Sequence, residues 1–433
     1  MLKKYLPFCF ASSCLCSKIN AQESDYFKDD HLLYENHIYR SNIKTAILEL
    51  ENHPLSDPVM DLKSDQHLRL SFDDLDAESK DYSYKFFHCD AHWNLSPMDE
   101  TEFLEGFYSD HITSFKPSFN TLQPYYHFSA VFPTSQMQFT KSGNYILMVY
   151  ENSDADKPII TKRFQIVESH VTIIPNIHRA TIVEQRNSSQ EIDFNILYKN
   201  YPIQSPFSEL TVVLQQNNRW DNAVYGIKPL FLKESELEYN YEDVNVFNGC
   251  NEFRNFDIRT IKFQTQNVRK ISQDSSNIFH VYLKDDESRS FKRYSIEDDI
   301  NGRYLVKIYN GSNSETESDY VYVHFHLKSE DAMSNGNYYV YGSLTNWSIE
   351  PWARLKYNYE EQAYETTLFL KQGYYNYEYM YLEDGKKLPD ETLIEGSHFE
   401  TENEYSIMVY QQLPGSRYQK LIGYKKLSSK NIY

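Results

Sequence analysis

Val321-Tyr322-Val323-His324-Phe325-His326-Leu327 alternates strictly, with Val321, Val323, Phe325 and Leu327 on one side and Tyr322, His324 and His326 on the other. A period of two belongs to a strand, whose successive side chains point to opposite faces. Here the apolar side would meet a core, and the aromatic and polar side would look outward. The same period recurs in Tyr82-Ser83-Tyr84-Lys85-Phe86, Glu191-Ile192-Asp193-Phe194-Asn195-Ile196, Phe279-His280-Val281-Tyr282-Leu283 and Tyr304-Leu305-Val306-Lys307-Ile308. Asn, Asp, Ser and Gly separate these runs, and those are turn residues. No long segment has a 3.6-residue period; residues 78–80 and 99–105 have room for one helical turn each. The pattern predicts an all-β chain of tandem, immunoglobulin-like β-sandwiches.

The chain has 433 residues, enough for two to four domains at roughly 100–200 residues each. Its start reads as a separate segment. Lys3 and Lys4 precede an uncharged run over 5–16, and Ile19-Asn20-Ala21 ends in a small residue. Residues 1–21 therefore read as a cleaved secretory signal peptide, which places the mature chain outside the cytoplasm. A lipid anchor at Cys14 is the alternative, although the usual Leu three positions earlier is missing. No segment is long and apolar enough to predict a transmembrane helix. Residues 22–42 read as a flexible lead-in, 43–168 as an N-terminal sandwich and 171–310 as a middle β domain. The polar run 311–318 reads as a loop or linker, and 319–433 as a C-terminal immunoglobulin-like sandwich of early-set type.

There are 62 acidic and 43 basic residues, a formal charge of −19, and losing Lys3, Lys4 and Lys18 with the signal takes it to −22. Such a chain repels phosphate, which argues against nucleic acid as a partner. Cys89 and Cys250 are the cysteines that survive signal removal, and the sequence leaves open whether they pair. The 38 tyrosines and 26 phenylalanines suit pleated surfaces. Tyrosine also suits an exposed sheet face, with its ring packed and its hydroxyl wet.

Catalytic motifs are absent: no Gly-x-Ser-x-Gly, no phosphate-cradling loop, no His-Glu-x-x-His and no dinucleotide fingerprint. The expectation is a non-enzyme with no catalytic residues, no cofactor and no metal. Asp73, Asp74 and Asp76 cluster after a strand without the glycine and bidentate Glu of a calcium loop, so they read as a solvated turn. His88, Asp90 and His92 would share a strand face, but no second pair of zinc ligands accompanies them, so they read as structural.

The segment from Tyr339 to Trp347, Ala363-Tyr364-Glu365-Thr366-Thr367-Leu368-Phe369-Leu370, and Gln372-Gly373-Tyr374-Tyr375-Asn376-Tyr377 follow one another in a layout that resembles the immunoglobulin-like glycogen-binding modules. In those modules a Trp stacks on sugar, a role that the resemblance assigns to Trp347, with Trp352 as a second candidate. A glycan is the alternative partner on this reading.

A wider resemblance spans roughly residues 40–424. Its carriers are Ser71-Phe72-Asp73-Asp74-Leu75-Asp76, His88-Cys89-Asp90 with Trp93, Gln215-Gln216-Asn217-Asn218-Arg219-Trp220-Asp221-Asn222, Asn251-Glu252-Phe253-Arg254-Asn255-Phe256-Asp257, Asn301-Gly302-Arg303-Tyr304 and Glu395-Gly396-Ser397-His398-Phe399. Together these resemble the plug protein family of the type IX secretion system. The resemblance implies a periplasmic protein that seals the periplasmic mouth of a very large outer-membrane translocon β-barrel while the barrel holds no cargo. It supplies no catalytic residues. Arg219, Trp220, Arg254 and Tyr304 are the expected interface anchors, being of the residue types that dominate binding hot spots.

Overall fold

The computed structural model describes residues 32–152 and 154–430. The expected signal peptide, the lipid-anchor alternative at Cys14 and residues 22–31 of the lead-in lie outside the described residues. The fold is all-β, built from antiparallel sheets packed in pairs as tandem sandwiches.

Three cores mark three sandwiches. The first gathers residues from Ile43 to Ile166. One of its sheets is centred on Gly143–Glu151, which pairs with Tyr82–Cys89 and with Pro158–Val167. The facing sheet holds Ile43–Leu50, Leu68–Asp74 and Tyr126–Phe132. Gly143–Glu151 is buried at eight successive positions. Tyr145, Leu147 and Val149 fill the sandwich core. Ile146 on the opposite face packs with Cys89 and Trp93 under Trp220, so the second sandwich covers what would otherwise be the wet face.

The second sandwich is discontinuous. One sheet comes from Thr172–Arg179, Ser189–Leu197, Glu236–Tyr239 and Phe231–Lys233, and the other orders Val224–Ile227, Leu210–Gln216, Glu404–Gln411 and Lys420–Ser428. Val212, Leu214, Ile407, Val409 and Ile422 therefore share a core. The third sandwich is inserted between these halves. It pairs Arg254–Asp257 and Tyr304–Val306 with Gly373–Glu383, and it places Tyr320–Lys328 beside Ala363–Lys371 and, in parallel, beside Phe279–Leu283. The division expected at 310–319 is thus not a division of packing: the last two strands return to the second sandwich, and strands before residue 310 complete the third. Alternation along a strand identifies its inner face but carries no record of which distant strand covers it.

The tyrosines also depart from expectation. Tyr82, Tyr84, Tyr125, Tyr145, Tyr239, Tyr320, Tyr341, Tyr375, Tyr379, Tyr405 and Tyr410 are among the largest fully buried side chains. Most have internal hydroxyl partners, as burial requires. Tyr377 and Tyr379 both donate to Asp286 Oδ2, at 2.6 and 2.8 Å. Tyr405 donates to Gln190 Oε1 at 2.6 Å. These rings build cores that leave less aromatic surface for outside partners.

Polar clasps join the sandwiches. Asp57 of the first meets Arg303 of the third at 2.7 Å and Lys426 of the second at 2.7 Å. Glu404 meets the same two cations at 2.6 and 2.9 Å. Asp73, expected in a solvated turn, is fully buried in a strand and joins Lys371 of the third sandwich at 2.6 Å. Asp74 is buried as well, accepting from Asn42 at 2.6 Å and Tyr82 at 2.9 Å. Neither is arranged for calcium.

Candidate functional site

Where the three sandwiches meet, a groove of about 400 Å³ opens, lined by Trp93, Arg163, Trp220, Tyr225, Tyr341 and Trp347 among others. Three of the four tryptophans in the chain lie here. Each comes from a different sandwich, so no one segment forms the site. Its volume falls in the range of small-ligand sites, about 300–1,000 Å³.

Tight turns aim two of these indoles. Asp90 closes the first, its Oδ1 accepting from His92 N at 2.8 Å and Asn94 N at 2.9 Å. That turn leaves Trp93 at φ 66°. In the second, Trp347 N donates to Gly342 O at 3.0 Å, with Asn346 and Trp347 at φ 56° and 58°. A left-handed conformation at a bulky residue costs about 1–3 kcal/mol and persists where the surroundings enforce it. The rings interlock: Trp93 meets Trp220 edge-on at 4.9 Å, and Trp347 meets Tyr341 at 5.7 Å. Gly302 sits under Trp347, where an added Cβ would lie 2.2 Å from the indole Cη2, and its φ is 73°. Gly302→Ala is expected to cost about 1–3 kcal/mol, through overpacking and backbone strain. A drop in the urea midpoint with altered tryptophan emission checks this.

Two neighbouring cations on strand Pro158–Val167 face the groove and the smaller cavity beside it. Arg163 Nε donates to Tyr34 O at 2.8 Å. Its guanidinium lies 4.6 Å from the Trp93 ring centre and 5.6 Å from that of Trp220. Burial lowers its pKa to about 10. Lys162 Nζ donates to Asn346 Oδ1 at 2.5 Å, and burial pushes its pKa down to about 7. Among the described residues neither cation has a carboxylate in ion-pair range. In the unfolded chain Lys162 titrates near about 10.4. Between about pH 7 and 10 the unfolded state thus binds more protons, and stability rises with pH through that window. Lys162→Met is expected to flatten this rise and to stabilise the protein at pH 7 by about 2 kcal/mol. Urea unfolding at several pH values checks both.

The residues singled out in the sequence fall in different places. Trp220 and Trp347 line the groove. Arg219 is buried behind it, forked onto Asp221 at 2.8 and 3.1 Å and bonded to Glu391. Arg254 is buried in the third sandwich, bonded to Glu395 at 3.0 Å and Asp286 at 2.7 Å. Neither arginine offers a surface fork, because both spend their donors on internal carboxylates. Tyr304 is half-buried and stacks on Tyr375 at 5.1 Å. Trp352 lies outside the groove, 47% exposed, with Lys44 Nζ 5.7 Å from its ring centre. In the sequence Trp93 is marked only as part of a family pattern and Arg163 only as part of a closing strand, since no local motif marks either as a site residue.

The remaining candidates are structural. His88 is buried between Ser96 Oγ at 2.8 Å and Ser142 O at 3.2 Å, and burial lowers its pKa to about 4. His92 instead stacks on Tyr225 at 5.0 Å, so the expected strand face of three ligands does not form. Cys89 and Cys250 are separate buried thiols. Burial pushes Cys89 up to about 12, so it is not a reactive thiolate. A histidine–carboxylate group, His178 with Glu191 and Asp193, lies on the outer face of the second sandwich. There His178 Nε2 hydrogen-bonds Asp193 Oδ2 at 2.9 Å.

The lining pairs no nucleophile with a base. It presents ring faces, amide and hydroxyl groups, the cations Arg163 and Lys387 and the carboxylates Glu35 and Asp221, which is equipment for binding. Fold and groove define an all-β, multi-sandwich protein with an aromatic groove where its sandwiches meet. Residues 43–168 match the family described as type 9 secretion system plug protein 1st domain. The chain is similar to a solved structure of a hypothetical protein from Parabacteroides merdae ATCC 43184, with 31% identity and a TM-score of 0.89 over 92% of this chain and 100% of that one. No curated protein matches. The chain belongs to the type IX secretion system plug protein family, an all-β family of a non-enzymatic kind. Its role is related to type IX secretion, and membership points to a partner in that system and to a periplasmic place of work. Among the described residues no helix is long and apolar enough to cross a membrane.

Proposed function

We propose that this protein plugs the periplasmic opening of the type IX outer-membrane translocon when the barrel holds no cargo. The observation that carries the reading is the match of residues 43–168 to the first plug domain. The clasps through Asp57, Arg303, Glu404 and Lys426 support it, because a stopper must present a fixed shape. With Arg219 and Arg254 internal, contact falls to exposed apolar residues such as Phe207, Leu230, Phe231 and Leu232, which are 41–58% exposed. Pull-down of the tagged mature chain from its native envelope tests the proposal. Retention of a very large outer-membrane β-barrel without cargo is the expected result, and an envelope made leaky by loss of the protein accompanies it. Recovery of small periplasmic proteins or glycans with no barrel overturns the reading.

The position of Trp347 in an aromatic groove favours one second reading, a carbohydrate-binding protein. It expects α-glucan binding that disappears in Trp347→Ala.

A further inference from the structure

The groove holds an electrostatic anomaly. The chain carries 62 acidic residues against 43 basic ones, and among the described residues several other buried or half-buried cations are paired. Arg219, Arg254, Arg303 and Lys371 each have a carboxylate within 2.7–3.0 Å or closer. Among the described residues Arg163 and Lys162 have none, although Lys162 is buried and Arg163 half-buried beside the groove. A buried cation without a counter-charge is costly. Trp93 adds a second gap: it is 3% exposed, and its indole Nε1–H has no acceptor among the described residues. An unsatisfied buried donor costs about 1–3 kcal/mol. Positive charge and an unused donor thus converge where three indoles meet.

The surrounding acids leave room for an incoming anion. Asp221 is held by Arg219 at 2.8 Å. Glu35 stands on the exposed rim, acting on Arg163 from beyond ion-pair range. Glu49, in the adjoining cavity, accepts from Leu55 N at 2.9 Å. The groove and that cavity share Asn36, Arg163, Asn346 and Trp347 as lining, so both cations stand at adjoining openings.

We infer that the groove binds a polypeptide segment presenting a carboxylate beside an aromatic or aliphatic side chain. The planar guanidinium of Arg163 suits a carboxylate in geometry. The faces of Trp220 and Trp347 suit the apolar neighbour. A volume of about 400 Å³ accommodates a few residues and not a folded domain. This inference is independent of the sealing role, since it concerns a ligand of the isolated protein.

Tryptophan emission of the full mature chain is titrated with the blocked tetrapeptide Ser-Phe-Asp-Ser and with its Ser-Phe-Asn-Ser counterpart. The aspartate peptide is expected to give a saturable change and to bind at least about tenfold more tightly than the asparagine peptide. Arg163→Gln is expected to abolish that preference. Trp347→Ala is expected to weaken both peptides. A melting temperature within a few degrees of wild type shows that each variant folds. Acetate and maltohexaose serve as further probes. Equal binding of the two peptides overturns the inference, as does an Arg163→Gln variant that keeps the preference. So does saturation by maltohexaose in place of peptide, or an absence of any saturable change. None of these results touches the capture of a barrel, so the two readings fail separately.

Discussion

Glu395→Ala is expected to destabilise the protein by about 3–5 kcal/mol, the cost of stripping a carboxylate from buried cations. Glu395 is fully buried. It accepts from Arg254 Nε at 3.0 and 3.1 Å, from Arg289 Nε at 2.8 Å and from Tyr379 N at 2.9 Å. Removing it leaves Arg289 with no internal carboxylate, Arg254 with Asp286 alone, and a buried amide without an acceptor. Burial by itself would raise the pKa of Glu395, but Arg254 and Arg289 overrule it and hold the pKa at about 2. In the unfolded chain it lies near about 4.3. The stabilisation is therefore complete above about pH 4.3 and is lost as pH falls towards 2. Urea midpoints of wild type and Glu395→Gln should converge as pH drops from 5 to 2. Parallel curves would disprove the assignment.

The second large effect concerns the clasp between first and third sandwiches. Asp73, fully buried, accepts from His127 Nδ1 at 2.7 Å, Tyr320 Oη at 2.6 Å and Lys371 Nζ at 2.6 Å. Lys371 is itself 1% exposed and lies 4.2 Å from the ring centre of Tyr125. Asp73→Asn removes the charge that Lys371 was buried against and is expected to cost about 3–5 kcal/mol. Lys371→Met should cost a similar amount alone. The double variant should recover part of the loss, because neither buried charge is then left unpaired. A double-mutant cycle in urea measures this coupling, and strict additivity would show that the two residues do not act as a pair. Burial opposes the charge on Asp73, but Lys371 and His127 hold its pKa below the usual carboxylate value. Its contribution is present above about pH 4 and fades as acid titrates it.

How far the site could be read from sequence follows from the reach of each signal. The family resemblance singles out Trp220, and the likeness to glycogen-binding modules singles out Trp347. Their meeting with Trp93 and Arg163 depends on strands up to 254 residues apart in the chain coming together, counted from Trp93 to Trp347. Arg219 and Arg254 read as interface anchors because arginine is among the residue types that dominate binding hot spots. Here each is matched to acids that come from elsewhere, Glu391 and Glu395.

By itself the sequence determined the class of fold, since a two-residue period and turn chemistry are local and survive any change of neighbour. It also determined the acidic balance and, through distributed matches, the family. Only the tertiary structure decided that the third sandwich is inserted into the second, that tyrosines such as Tyr82, Tyr145, Tyr239, Tyr379 and Tyr405 are core, and that three tryptophans gather beside two cations with no carboxylate in ion-pair range among the described residues. Those features rest on which strand covers which face, and that choice is made by packing between segments that no local pattern connects.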